Sequence, residues 1–102
     1  MSVAVMDVDY FKKFNDTYGH LAGDAVLQSL GQLLLDLTGR DAVVARYGGE
    51  EFGIIFDFNV TPDDAFKRLE YIRQAISHHV VDYDGYTLQG ITASIGVASL
   101  DD

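Results

Sequence analysis

Cysteine and tryptophan are absent from the 102 residues, and proline occurs once. Without thiols there is no disulfide framework, no thiol nucleophile and no thiolate metal site, which accords with a reducing compartment. Positive charge is also scarce: seven Lys and Arg stand against sixteen Asp and Glu, for a net charge of −9. That excludes a sequence-independent nucleic-acid binder, which needs a basic face. A small polyanionic ligand stays open, provided a metal ion supplies the positive charge. No apolar run approaches the ~20 residues of a membrane span, and the N-terminus lacks the basic flank of a signal peptide. The expectation is a soluble chain with no membrane segment. No internal repeat or low-complexity segment is present either. What remains is 48% hydrophobic, with six Tyr and six Phe, enough for the single core of one domain spanning residues 1–102.

The apolar pattern divides that domain into short elements. Val3-Ala4-Val5-Met6 is an uninterrupted run that reads as a strand buried on both faces. Asp9 is placed to cap a helix from Tyr10 to about Asp16, closed by Gly19. A second helix, from about Leu21 to Leu37, carries Val26, Leu30, Leu33, Leu34 and Leu37 on one stripe, interrupted by Gly31. Val43-Val44-Ala45 and Phe52 to Phe56 read as two buried strands joined at Gly48-Gly49, a turn that needs positive φ. Asp57 to Asn59 is a turn, and Thr61-Pro62-Asp63-Asp64 starts a helix with buried Ala65, Leu69, Ile72 and Ile76, ending near His78-His79. Val80 to Asp82 and Tyr86 to Leu88 flank an Asp84-Gly85 hairpin turn, and Ile91 to Val97 alternates as a half-buried strand. The resulting order, β-α-α-β-β-α-β-β, predicts an α+β, ferredoxin-like sandwich with helices on one face of a mostly antiparallel sheet.

Two acidic corners carry the candidate chemistry. Asp7 ends the first strand, and Glu50 and Glu51 follow a glycine turn that lets another molecule approach the backbone. If that strand and the hairpin are neighbours, these carboxylates and the Val8 carbonyl form an oxygen-only set suited to Mg²⁺ (or Mn²⁺). Taken alone, Asp7 is a helix-entry residue and the glutamates a solvated turn; taken together they favour an ion site. Lys12 could add a point charge at a helix N-terminus that suits phosphate, whereas Lys13 reads as a solvated face. Asn15 and Asp24 offer the mixed donors and acceptors that a guanine edge demands, although turn and cap roles would also account for them. His20 is most simply a loop or capping residue, and His78 and His79 mark a helix end.

Three stretches together resemble the GGDEF family, the diguanylate cyclases. They are Met6 to Asp24 (Met-Asp-Val-Asp-Tyr-Phe-Lys-Lys-Phe-Asn-Asp-Thr-Tyr-Gly-His-Leu-Ala-Gly-Asp), Arg46 to Phe52 in a GGEEF form, and Thr92-Ala93-Ser94-Ile95-Gly96-Val97. The match runs from Val3 to about Ala98, and the first two motifs are long and correctly separated. The resemblance implies the palm-like fold of nucleotide cyclases and polymerases. It also implies condensation of two GTP to cyclic di-GMP with loss of two pyrophosphates, by two domains facing each other in a homodimer. By position, Asp7, the Val8 carbonyl, Glu50 and Glu51 resemble the family's metal ligands, and Glu50 the acceptor of the attacking hydroxyl's proton. Lys12 matches a residue stabilising phosphate charge, Phe11 the backbone that meets the phosphates, and Asn15, His20 and Asp24 the guanine and substrate contacts.

The resemblance further implies a bacterial, cytoplasmic setting and a sensor or regulatory domain in a parent protein. Three departures qualify it. The family's leading Asp-x-Leu-Thr-x-Leu-x-Asn-Arg segment has no counterpart, so the domain reads as truncated at its start. At its end, Asp102 arrives before the family's cationic helix and closing strand. The family's inhibitory Arg-x-x-Asp is replaced by Thr38-Gly39-Arg40-Asp41-Ala42. The expectation is therefore a weakly active cyclase core, with a non-catalytic GTP-binding module as the alternative and a cyclase of another nucleotide as a third possibility.

Overall fold

The computed structural model describes residues 1–100. Nine elements follow one another: β1 (Ser2–Val8), α1 (Phe11–Tyr18), α2 (His20–Thr38), β2 (Ala42–Tyr47), β3 (Glu51–Phe56), α3 (Pro62–Ser77), β4 (Val81–Tyr83), β5 (Tyr86–Leu88) and β6 (Ala93–Ser99). The order is thus β-α-α-β-β-α-β-β-β, one strand more than the sequence order given above. Four strands form an antiparallel sheet in the order β2-β3-β1-β6, and β4 and β5 form a separate two-stranded sheet. The frame is the β-α-β-β-α-β sandwich expected, with its first helical crossover split into α1 and α2 and a hairpin inserted before the last strand.

Alternation along β1 sets the layers. Ser2, Ala4, Met6 and Val8 are buried, while Val5 and Asp7 are exposed between them. β1 is therefore covered by helices on one face only, not on both as the unbroken apolar run suggested. β3 keeps the same rule, with Phe52, Ile54 and Phe56 beneath the helices. These meet Val26, Leu30 and Leu34 of α2 and Leu69, Ile72 and Ile76 of α3 in one core. Each such side chain contributes about 1.5–3 kcal/mol of transfer free energy. β2 departs from expectation: it is an edge strand, paired only with β3, and its Val43 is 64% exposed.

Local signals mostly act as anticipated. The Thr61 hydroxyl accepts a hydrogen bond from the Asp64 N–H at 3.2 Å, with Pro62 in the first turn of α3. Asp84 (φ 50) and Gly85 (φ 82) supply the two left-handed residues of the β4–β5 turn. At the β2–β3 turn only Gly48 has positive φ, at 68, so Gly49 is not required for its torsion. At Gly31 a Cβ would make ordinary contact with the Phe52 ring at 3.4 Å, so packing does not require glycine there.

An ion pair ties α3 to the α2–β2 connection, with Arg68 Nη1 2.6 Å from Asp41 Oδ1. The hydrogen bond from Arg68 holds the Asp41 carboxyl below its ordinary value and pushes the guanidinium up. A carboxyl depressed in the folded state stabilises the fold above its unfolded pKa, and that contribution is lost as pH falls through the folded value.

Two outcomes follow in equilibrium unfolding. Gly31→Ala gains helix propensity and places a methyl at contact distance, so stability rises by about 0.5–1 kcal/mol in a urea titration. Arg68→Ala lowers the thermal midpoint at neutral pH, and calorimetry shows the deficit shrinking as pH drops below the ordinary carboxylate range.

Candidate active site

Sheet register brings the acidic corners together. Asp7 of β1 lies directly opposite Glu51 of β3, and the Val8 N–H donates to the Glu50 carbonyl at 3.2 Å. Asp7 is exposed, and Glu50 and Glu51 are half-buried. Among the described residues none of the three carboxylates joins an ion pair. The turn that carries the glutamates is braced from within. Arg46 Nη2 donates to the Gly49 carbonyl at 3.1 Å, and a Cβ at Gly48 would stand 3.0 Å from Glu51 Oε1. Gly48 thus gives the Glu51 side chain room as well as supplying the left-handed torsion.

Asp7, the Val8 carbonyl, Glu50 and Glu51 are hard oxygen donors of the kind a small divalent cation takes. Among the described residues no three His, Asp or Glu side chains converge closely enough to cage an ion unaided.

Next to this row, β1 passes into α1 through Tyr10, the helix N-cap, whose φ of 57 and ψ of 29 are left-handed. For a non-glycine residue that conformation costs about 1 kcal/mol or more. The first turn of α1 has no side-chain cap. The sequence assigned that task to Asp9, but the structure sends its carboxylate elsewhere. Asp9 Oδ2 accepts from the Thr92 hydroxyl at 2.8 Å and Oδ1 from the Ser94 hydroxyl at 2.7 Å. The Asp9 N–H donates to the Thr92 carbonyl at 2.9 Å.

Phe11 opens α1 as a buried residue, its ring stacked on Phe14 at a centroid distance of 6.2 Å. Lys12 is exposed one position later. Asn15 is half-buried, and its Oδ1 is fully enclosed with no hydrogen-bond partner among the described residues. It rests against Gly23, where a Cβ would collide with that oxygen. Asp24 is exposed on the next residue of α2. His20, at the head of α2, lines a cleft of about 500 Å³ together with Tyr18, Tyr83, Asp84 and Tyr86. Thr92, Ser94, Arg46 and Gly23 stand inside the quoted motifs but were given no role from sequence; Ser94 lies in β6 and Thr92 just before it.

The match to known proteins covers the whole chain. The family described as "Diguanylate cyclase, GGDEF domain" matches residues 1–102. Diguanylate cyclase A of Treponema denticola is 39% identical over 99 residues, covering 97% of this chain and 26% of that protein. The active GGEEF domain of a diguanylate cyclase from Vibrio cholerae superposes with a TM-score of 0.86 at 35% identity, over 99% of this chain and 62% of that one. The GGDEF domain of DgcB from Caulobacter crescentus, in complex with c-di-GMP, gives a TM-score of 0.84 at 36% identity, over 94% and 57% of the two chains. The chain belongs to the GGDEF family, the diguanylate cyclase domains. It spans about a quarter of the length of the Treponema denticola relative. No helix among the described residues is long and apolar enough to cross a membrane.

The Asn15–Gly23 contact yields a direct contrast with Gly31. Gly23→Ala forces Asn15 aside, and urea unfolding shows a loss of about 1–3 kcal/mol despite the better helix former.

Proposed function

We propose that this chain is the catalytic core of a diguanylate cyclase, joining two GTP molecules into cyclic di-GMP and releasing two pyrophosphates. The observation that carries the proposal is the register of β1 against β3, which sets Asp7 beside Glu51 and Val8 beside Glu50. Asp7, the Val8 carbonyl, Glu50 and Glu51 would hold magnesium or manganese, which when bound polarises the α-phosphate and draws the attacking 3′-hydroxyl toward ionisation. The Glu50 carboxylate takes the proton of that hydroxyl as its oxygen bonds to the α-phosphorus of the second nucleotide and pyrophosphate departs. Lys12 and the backbone at Phe11 offset phosphate charge at the start of α1.

Base selection belongs to Asn15 and Asp24. Asn15 is half-buried against Gly23, the residue before exposed Asp24, so the mixed donor and acceptor set that a guanine edge needs lies at one helix junction. His20 stands near the same helix junction as a substrate contact. Each domain holds one GTP, so the reaction takes two chains face to face about a two-fold axis. A sensor or regulatory domain in the parent protein would set when the two chains meet, on the cytoplasmic side where GTP is present.

The assay is incubation of the parent protein with Mg²⁺ and GTP, followed by chromatography for the cyclic dinucleotide. Glu50→Ala is expected to cut turnover by about 100-fold or more while GTP still binds. Binding by the unaltered protein with no product would instead identify a non-catalytic GTP-binding module. Asn15→Ala narrows the preference for GTP over ATP, read as the ratio of the two kcat/KM values.

A further inference from the structure

We infer that Thr92 and Ser94 act as positioning residues by holding the Asp9 carboxylate away from α1, leaving the first turn of that helix uncapped for the nucleotide. Aspartate just before a helix is ordinarily a cap, accepting N–H groups of the first turn. Here both carboxylate oxygens are already taken, by Thr92 Oγ1 at 2.8 Å and Ser94 Oγ at 2.7 Å. The backbone reinforces the diversion, since the Asp9 N–H also donates to the Thr92 carbonyl at 2.9 Å. Three bonds therefore run from one residue of the β1–α1 junction to the start of β6, a separation of more than 80 positions in the chain.

The conformation of Tyr10 records the choice between the two arrangements. With Asp9 latched to β6, Tyr10 is left-handed and itself becomes the N-cap, its carbonyl accepting from the Phe14 N–H at 3.0 Å. Without the latch, Tyr10 can relax to the helical region, and Asp9 becomes the N-cap, its carboxylate facing the N–H groups of Phe11 and Lys12. In that second arrangement a fixed negative charge occupies the end of α1 and opposes a triphosphate both by repulsion and by consuming its donors. The hydroxyls of Thr92 and Ser94 thus act through Asp9, with no contact to substrate required of them.

The proposal rests on the nucleotide reading given above, and one of its measurements is independent of nucleotide. Hydrogen exchange of the full chain, without ligand, reports the Phe11 and Lys12 amides. They exchange rapidly in the unaltered protein and become about tenfold more protected in the Thr92→Val/Ser94→Ala double variant, as Asp9 caps them. In the parent protein the same double variant weakens GTP by about tenfold, with the effect on KM rather than kcat. Adding Asp9→Ala to the double variant removes the competing carboxylate, so amide protection falls again and GTP affinity recovers most of the loss. A purely structural latch gives no such recovery.

The proposal is overturned if the double variant leaves both amides unprotected, or if the triple variant binds GTP no better than the double. Should the unaltered protein bind no GTP at all, the functional reading fails, and the amide comparison alone then decides the latch. Ser94→Ala, which removes one bond and keeps Thr92, gives the same direction with a smaller shift if the double variant does not fold.

Discussion

The pairing of β1 with β3 is the constraint on which the rest depends. Side chains alternate across a strand, so a slip of one residue would carry Asp7 into the core and Met6 into solvent. Met6 and Phe52, and Ala4 and Ile54, face each other in register under the helices and are buried. Those contacts forbid the slip, because no partner under the helices could satisfy a carboxylate at that depth. The acidic row outside the sheet is therefore positioned by the apolar rows inside it. A core of this size does more than hold the chain together; it sets which oxygens face one another across the strand boundary.

Much of this was legible in the residues. Helix α3 announced both its ends, through Thr61, Pro62 and the two aspartates at the start and the histidines at the finish, because capping chemistry is local. The Asp84-Gly85 turn was equally local, needing only residues that tolerate left-handed torsions. Asp7, Glu50 and Glu51 could be singled out as acids at strand ends, yet only the register showed them to be neighbours. Burial was misjudged where it depended on partners remote in sequence. An unbroken apolar run in β1 and a Val-Val pair in β2 look like central strands, but one lies under a single helical layer and the other at the margin. Asp9 was misassigned for the same reason: its local environment suits a cap, and the hydroxyls that claim it arrive from Ser94 of β6 and from Thr92 just before that strand.

The glycines divide along similar lines. Gly31 and Gly23 both interrupt α2, where sequence alone sees only a weak helix former. The structure separates them by what stands opposite, an aromatic ring in contact for the first and the Asn15 side chain in the way for the second. The first leaves room for a methyl, and the second brings two helices close enough to enclose the Asn15 oxygen, which has no partner among the described residues.

The acidic row is built on unequal foundations. Asp7 belongs to a strand flanked on both sides, by β3 and β6, whereas the Gly48 to Glu50 tip hangs between β3 and the sheet's outer margin at β2. Fraying at that margin loosens the tip while leaving Asp7 where it is, since local opening follows the least supported backbone. The arrangement therefore has an anvil and a hinge: Asp7 stands on the doubly paired strand, and the glutamates stand at a tip whose support comes from one side.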